Sequence, residues 1–290
     1  MHQHLICALD DAALQRLLYE DAPHGDLTTR ALGLRGQHGT MSFLARAPMR
    51  VAATEEAARL ITLAGADSVR VLAASGAQVE GAAMLLRAEG SAQSLLLSWK
   101  VAQTLVEALS GIATATAQIV ASVRDAGFAL PLACTRKNLP GTRALSAKAV
   151  LAGGGVMHRL GLSETVLVFP EHRNFLNTTE WPQALAALRT GLPEKKTVVE
   201  VGSEDDAIAV ARLGVDVLQL ERFSPEALRA LRLRLQSEGL TPLLAPAGGV
   251  TLANALDYAR AGADLLVSSA PYFAPPADVK VVIEGTPRAS

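Results

Sequence analysis

Apolar residues change their spacing part-way along the chain. Over residues 8–19 and 55–64 they recur at helical intervals, and short apolar runs at 41–46 and 85–88 predict extended segments. Helical spacing returns over 94–124, where Ser110-Gly111 predicts a break between two helices. Beyond that point the order is regular. Apolar runs at 130–134, 166–169, 197–201, 215–220, 242–245 and 265–268 mostly alternate with helical stretches, clearest at 203–213, 225–236 and 252–261. Continuous apolar strands separated by helices predict a parallel sheet covered on its outer face. Six such runs are too few for a standard eight-stranded barrel and enough for an incomplete one.

In a barrel of this kind the chemistry belongs at the carboxyl ends of the strands. Arg136 and Lys137 follow the first run, Glu200 ends the third and Glu221 closes the fourth. Gly248-Gly249 follows the fifth run, ahead of a helix expected to start near Thr251, and Ser268 and Ser269 end the sixth. Residues 135–173 add His158, Arg159, His172, Arg173, Arg143 and Lys148 around two glycine turns. Clustered cations beside glycine-rich backbone suit several phosphates of one small ligand. A glycine pair opening a helix offers a phosphate cradle. With two carboxylates at the same end, the pattern predicts a polyphosphorylated ligand accompanied by a divalent cation. There is no strand-linked GxGxxG; Gly153-Gly154-Gly155 follows a helix, the wrong context for a dinucleotide fold.

Plainer roles compete for several of these residues. Arg143 and Lys148 would solvate a helix surface, Arg173 would make a rim salt bridge, and Ser268-Ser269 would end a strand through backbone-bonding hydroxyls. The chain has 290 residues and a net charge of −1, which gives no general signal for nucleic acid or membrane. Its two cysteines, Cys7 and Cys134, lie far apart in apolar surroundings, so no disulfide framework or metal cluster is predicted, and Cys134 reads as a packed strand residue. Asp10 and Asp11 interrupt the apolar N-terminal segment, which predicts no signal peptide. No run reads as long and apolar enough to cross a bilayer. A cytoplasmic enzyme is expected. His2 and His4 are expected in a disordered terminus.

Several motifs, in order, are similar to one family. They are Gly25-Asp26-Leu27-Thr28-Thr29, Ser110-Gly111-Ile112-Ala113-Thr114, Thr135-Arg136-Lys137 with Pro140-Gly141, Lys148-Ala149-Val150, Gly153-Gly154-Gly155 with His158-Arg159, and Gly248-Gly249. Together they resemble the type II phosphoribosyltransferases, the family of quinolinate phosphoribosyltransferase (nicotinate-nucleotide pyrophosphorylase). Trp99-Lys100, residues 162–169 and Ser269-Ala270-Pro271-Tyr272 most resemble its ModD branch, associated with molybdenum transport. The resemblance implies an α/β protein: an N-terminal α/β open sandwich over residues 1–112, joined by 275–290, and an incomplete six- or seven-stranded α/β barrel over 113–274. It also implies a homodimer in which the segment around Lys100 reaches the partner's active site.

The implied reaction is attack of a ring nitrogen on C1 of 5-phosphoribosyl-1-pyrophosphate (PRPP), with Mg²⁺ and departure of pyrophosphate. Arg136, Lys137, His158, Arg159, His172, Lys100, Ser268 and Ser269 would bind substrates, and Gly248-Gly249 would receive the 5-phosphate. Glu200 and Glu221 would hold Mg²⁺ or the ribose hydroxyls and act in catalysis with Lys137. This chain departs from the quinolinate pattern at the base. Phe169 replaces a lysine that pairs with a substrate carboxylate, Lys100 stands for a partner-subunit arginine, and Glu221-Arg222 replaces an Asp-Asn pair. The expectation is a retained phosphoribose site and a rebuilt acceptor site, with an unidentified nitrogenous acceptor. A genuine quinolinate enzyme and a non-catalytic oxyanion or phosphometabolite binder are the alternatives.

Overall fold

A computed structural model describes residues 7–286, so His2 and His4 fall outside the described residues. The chain opens with α1 (Asp11–Asp21), α2 (Leu27–Ala31), β1 (His38–Ala45), β2 (Met49–Arg50), α3 (Thr54–Leu63), β3 (Ser68–Val71), β4 (Gln78–Val79) and β5 (Met84–Ser91). A long helix α4 (Ala92–Arg124) leads to β6 (Leu132–Cys134), α5 (Arg143–Ala152), β7 (Val156–Met157), β8 (Val166–Val168), α6 (Pro170–Arg173) and α7 (Glu180–Gly191). Strands and helices then alternate: β9 (Thr197–Val201), α8 (Glu204–Arg212), β10 (Val217–Glu221), α9 (Pro225–Ser237), β11 (Leu243–Ala247), α10 (Ala255–Ala261) and β12 (Leu266–Ser268). The last strand is β13 (Val279–Gly285). Two compact units result. The first takes in the chain up to Ala117, Leu139–Gly154 and the residues from Pro271 onward; the second holds Gln118–Asn138 and Gly155–Ala270.

The first unit is an open α/β sandwich. Its antiparallel sheet has the order β13-β1-β5-β3. Alternation along β1 turns Met41, Phe43 and Ala45 to one buried face. They pack with Leu14 of α1, Leu60 and Ile61 of α3, and Leu95, Ala102 and Val106 of α4. Burying a side chain of this size contributes about 1.5–3 kcal/mol, and the shared apolar face holds sheet and helices together.

The expected break at Ser110-Gly111 does not occur, because α4 runs through it. Both residues serve close packing instead. The Ala52 N–H donates to the Ser110 hydroxyl oxygen at 2.9 Å. A Cβ on Gly111 would collide with the Pro275 carbonyl oxygen, so only glycine admits that segment. By length and composition α4 is long and apolar enough to cross a bilayer, against the sequence expectation. Its apolar side chains instead supply the core of this unit.

Lys148 of α5 corrects a second expectation. It is not a surface group: its side chain is 5% exposed, and Nζ donates to Glu55 at 2.9 Å and to Glu56 at 2.7 and 2.8 Å.

The second unit is an incomplete α/β barrel of parallel strands. One ladder is β8-β9-β10-β11 and the other β7-β6-β12. The Asp264 N–H donates to the Leu244 carbonyl at 2.9 Å, which ties the approach to β12 against β11. All six apolar runs form strands. The seventh strand, β7, has two residues after a glycine turn, too few to show a period. Ser203 and Ser224 accept from the N–H groups of Asp206 and Ala227 and so start α8 and α9.

Strand register fixes the barrel interior. Val198, Val217 and Leu243 are level with one another; Glu200, Gln219 and Ala245 form the next level, and Glu221 and Ala247 the one above. The chain therefore changes from apolar to polar towards the carboxyl ends of these strands.

Candidate active site

A cavity of about 350 Å³ opens at that end of the barrel. A small side chain helps make room for it, since Ala247 lines the cavity above the apolar layer that Val217 and Ala245 fill. Leu167, Phe169 and Val267 supply apolar wall, and polar groups occupy the rest.

The cations come from two strand ends. Arg136 and Lys137 follow β6, and the Lys137 N–H donates to the Thr135 hydroxyl oxygen at 3.2 Å. His158 and Arg159 follow β7, with the His158 N–H donating to the Cys134 carbonyl at 2.9 Å. Arg159 is 7% exposed, and its guanidinium carbon lies 5.4 Å from the centroid of the Phe169 ring. Burial, and then the charge of Arg136, holds the Arg159 pKa below its ordinary value. Burial and then Arg159 likewise depress His158, favouring the neutral imidazole. The Arg136 and Arg159 guanidinium groups repel each other, and an anion between them would relieve that repulsion.

Two carboxylates line the same cavity. Glu200 accepts from Nε2 of Gln219 at 2.5 Å. Burial raises the Glu200 pKa, with further push from Glu221 and Glu171, against the lowering influence of Gln219 and Lys137. Glu221 ends β10, and the next residue, Arg222, turns the chain in the left-handed region at φ 58°. Arg222 Nε stands 3.5 Å from Oε1 of Glu221. Gly248 has φ 74°, and a Cβ there would lie 2.5 Å from that same oxygen. The glycine therefore answers both a backbone conformation and a carboxylate pressed against it.

The two glycines do not abut a helix as expected. The helix α10 starts at Ala255, and a turn intervenes in which Asn254 accepts from the Thr251 N–H at 2.8 Å and donates to the Gly249 carbonyl at 3.0 Å. Competition from the asparagine side chain defines this turn and displaces the first helical residue.

Of the residues singled out from the sequence, this cavity gathers Arg136, Lys137, His158, Arg159, Glu200, Glu221, Gly248, Gly249, Ser268 and Ser269. Ser268 is committed to the backbone: its hydroxyl donates to the Val250 carbonyl at 2.6 Å and accepts from the Ala270 N–H at 3.0 Å. His172 does not line it. Nδ1 of His172 accepts from the Phe169 N–H at 2.9 Å, capping α6, and the ring stacks on Phe169 with centroids 5.9 Å apart. Arg173 pairs with Asp206 at 2.8 Å. Lys100 belongs to the first unit, where Nζ lies 4.1 Å from the Trp99 ring centroid. Gln219 was not anticipated; its signal was a polar residue within an otherwise apolar strand.

Comparison with known proteins decides the family. Residues 26–110 match the N-terminal domain of quinolinate phosphoribosyl transferase, and residues 112–282 match its C-terminal domain. The chain belongs to the quinolinate phosphoribosyltransferase family. It is 48% identical to the ModD protein of Rhodobacter capsulatus over 258 residues, which covers 88% of this chain and 97% of that protein. It is 35% identical to the nicotinate-nucleotide pyrophosphorylase [carboxylating] of Mycobacterium leprae over 270 residues, covering 91% and 94%. NadC from Streptococcus pyogenes superposes with a TM-score of 0.85 at 25% identity, covering 96% of this chain and 97% of that one. The nicotinate-nucleotide pyrophosphorylase of Francisella tularensis shares the fold with a TM-score of 0.84 at 22% identity, covering 94% and 95%. Family membership makes this chain an enzyme of the pentosyl-transferring class.

Proposed function

We propose that this phosphoribosyltransferase transfers phosphoribose from PRPP to a ring nitrogen of a heterocyclic acceptor, with Mg²⁺. The observation that carries this is the gathering of Arg136, Lys137 and Arg159 with Glu200 and Glu221 around one cavity. The cations would neutralise the phosphates of PRPP. The bond from C1 to the pyrophosphate oxygen breaks as the bond from C1 to the acceptor nitrogen forms, and pyrophosphate leaves with its electron pair. Glu200 and Glu221 would face the positive charge that develops on the ribose ring, and a fixed carboxylate stabilises such charge electrostatically. The exposed turn at Gly248-Gly249 would receive the 5-phosphate.

The donor set also fits Mg²⁺, which is commonly bound through one or two carboxylates with substrate phosphates and water. Glu200 and Glu221 would hold it, and bound there it would offset charge on the leaving pyrophosphate. A second copy of the chain would complete the site. In support, Lys100 lines an apolar concavity of about 550 Å³ in the first unit, together with Leu105, Leu109, Leu145 and Tyr272. The ModD resemblance extends the proposal to a role beside molybdenum transport.

Calorimetry tests the donor site. PRPP is expected to bind saturably only with Mg²⁺, and Arg136→Ala should abolish binding; a folded wild type that ignores millimolar PRPP would overturn the proposal. Quinolinate as the acceptor is the second reading, favoured by the likeness to the Mycobacterium leprae protein. Phe169 in the cavity wall weighs against it, because it offers a dicarboxylate no charge partner. Turnover of quinolinate at the rate of a dedicated enzyme would favour that second reading.

A further inference from the structure

Gln219 lies at the middle level of the barrel interior, between Glu200 on β9 and Ala245 on β11. It is 5% exposed and lines the cavity. A carboxylate only accepts hydrogen bonds, so the amide presents Nε2 to Glu200 and turns Oε1 elsewhere. Among the described residues, no protein group donates to Oε1. Other buried, unpartnered side-chain atoms, Thr197 Oγ1, Arg173 Nε and Arg50 Nε, do not line this cavity. A buried amide oxygen without a donor is destabilising, and an apolar residue of the same size would avoid that cost. The Gln219 side chain itself borders the open volume of the cavity, with Ala247 of the next level also in its wall. Leu167, Phe169 and Val267 provide apolar surface for the face of a ring.

We infer that Oε1 of Gln219 accepts a hydrogen bond from the acceptor substrate, so that this substrate is a planar nitrogen heterocycle bearing an N–H or amino donor. The assignment rests on the transferase reading. Glu200 fixes the amide through Nε2, so the oxygen is pre-oriented and discriminates between rings with and without a donor. A second ring carboxylate would bring an acceptor against this acceptor, in a wall where Phe169 supplies no charge. The rebuilt half of the site thus has a stated preference: hydrogen-bond donation in place of a carboxylate.

Nicotinate, 2-aminonicotinate and 6-aminonicotinate serve as probes. Their binding would be measured by calorimetry with ribose 5-phosphate, Mg²⁺ and pyrophosphate present, so that no transfer occurs. At least one amino isomer should bind wild type about tenfold more tightly than nicotinate. Gln219→Met should remove that preference, with Gln219→Leu as a second variant and a cooperative thermal unfolding transition as the check that each variant is folded. A wild type that does not prefer either amino isomer, or a variant that retains the preference, overturns the assignment. Failure of wild type to bind PRPP with Mg²⁺ would overturn the transferase reading as well. Intact PRPP binding without amino preference would overturn the role of Gln219 alone.

Discussion

The Glu221 carboxylate lies so close over Gly248 that a methyl group on the glycine would stand 2.5 Å from Oε1. Gly248 also occupies the left-handed region at φ 74°. Gly248→Ala must therefore move the carboxylate or the turn. With Glu221 in the role proposed for it, misplacing its carboxylate by about 1 Å should lower kcat/KM on the order of a hundredfold. The strained backbone should cost only about 1–2 kcal/mol of stability. Steady-state kinetics beside urea unfolding would separate the two, and unchanged kcat/KM would show that Glu221 is not held by this contact.

Glu200 makes a stability prediction with a definite sign. Burial, Glu221 and Glu171 raise its folded pKa above the unfolded value. The stability linked to this shift is fully present below the unfolded pKa of about 4.3 and is lost as pH rises through the folded value. Glu200→Gln should therefore raise the melting temperature at pH 7–8, with the gain vanishing below about pH 4. Turnover should fall by about a hundredfold. A variant that melts below wild type at neutral pH would contradict this account.

Lys148 makes the opposite kind of prediction. Burial works against charge on Glu55, yet hydrogen bonds from Ser75 and Lys148 leave its pKa below the ordinary value. Lys148→Met strands two carboxylates in the interior, and losing one partner of a buried pair costs about 3–5 kcal/mol. Urea denaturation should show a loss of that size. Replacing Glu56 by Gln in the same protein should recover part of it.

Thiol titration would check the two cysteines separately. Cys134 is buried, and burial pushes its pKa up to about 12, so it should resist alkylation in the native protein. Cys7 is exposed and should react first. Only unfolding should bring the count of reactive thiols to two. Fast native alkylation of Cys134 would mean that the barrel opens at β6.

Much of the barrel was legible because strand ends advertise themselves. Arg136, Glu200 and Glu221 each close a continuous apolar run, and parallel packing brings such ends together. The features that are not legible in the sequence depend on tertiary partners. Lys148 is solvent-like in composition, and only the folded unit supplies Glu55 and Glu56. Ser110-Gly111 carries the composition of a helix break, but the close approach of Pro275 explains it. His172 shares its neighbours' charge pattern, yet its nitrogen is spent locally on the Phe169 N–H. Gln219 interrupts an apolar strand by one residue, a signal too small to separate from variation without the register that sets it beside Glu200.

The pairing of β1 with β13 has a consequence for how the chain is made. Seven residue pairs, from Gly39 with Gly285 to Ala45 with Val279, join a strand that precedes the barrel in the chain to one that follows it. While a ribosome is still translating the barrel, β1 can pair with β5 but keeps its other edge bare. The sheet that precedes the barrel can thus be finished only after the barrel has been made, and a nascent chain that stalls before Val279 carries an open strand that invites pairing with its neighbours on the same message.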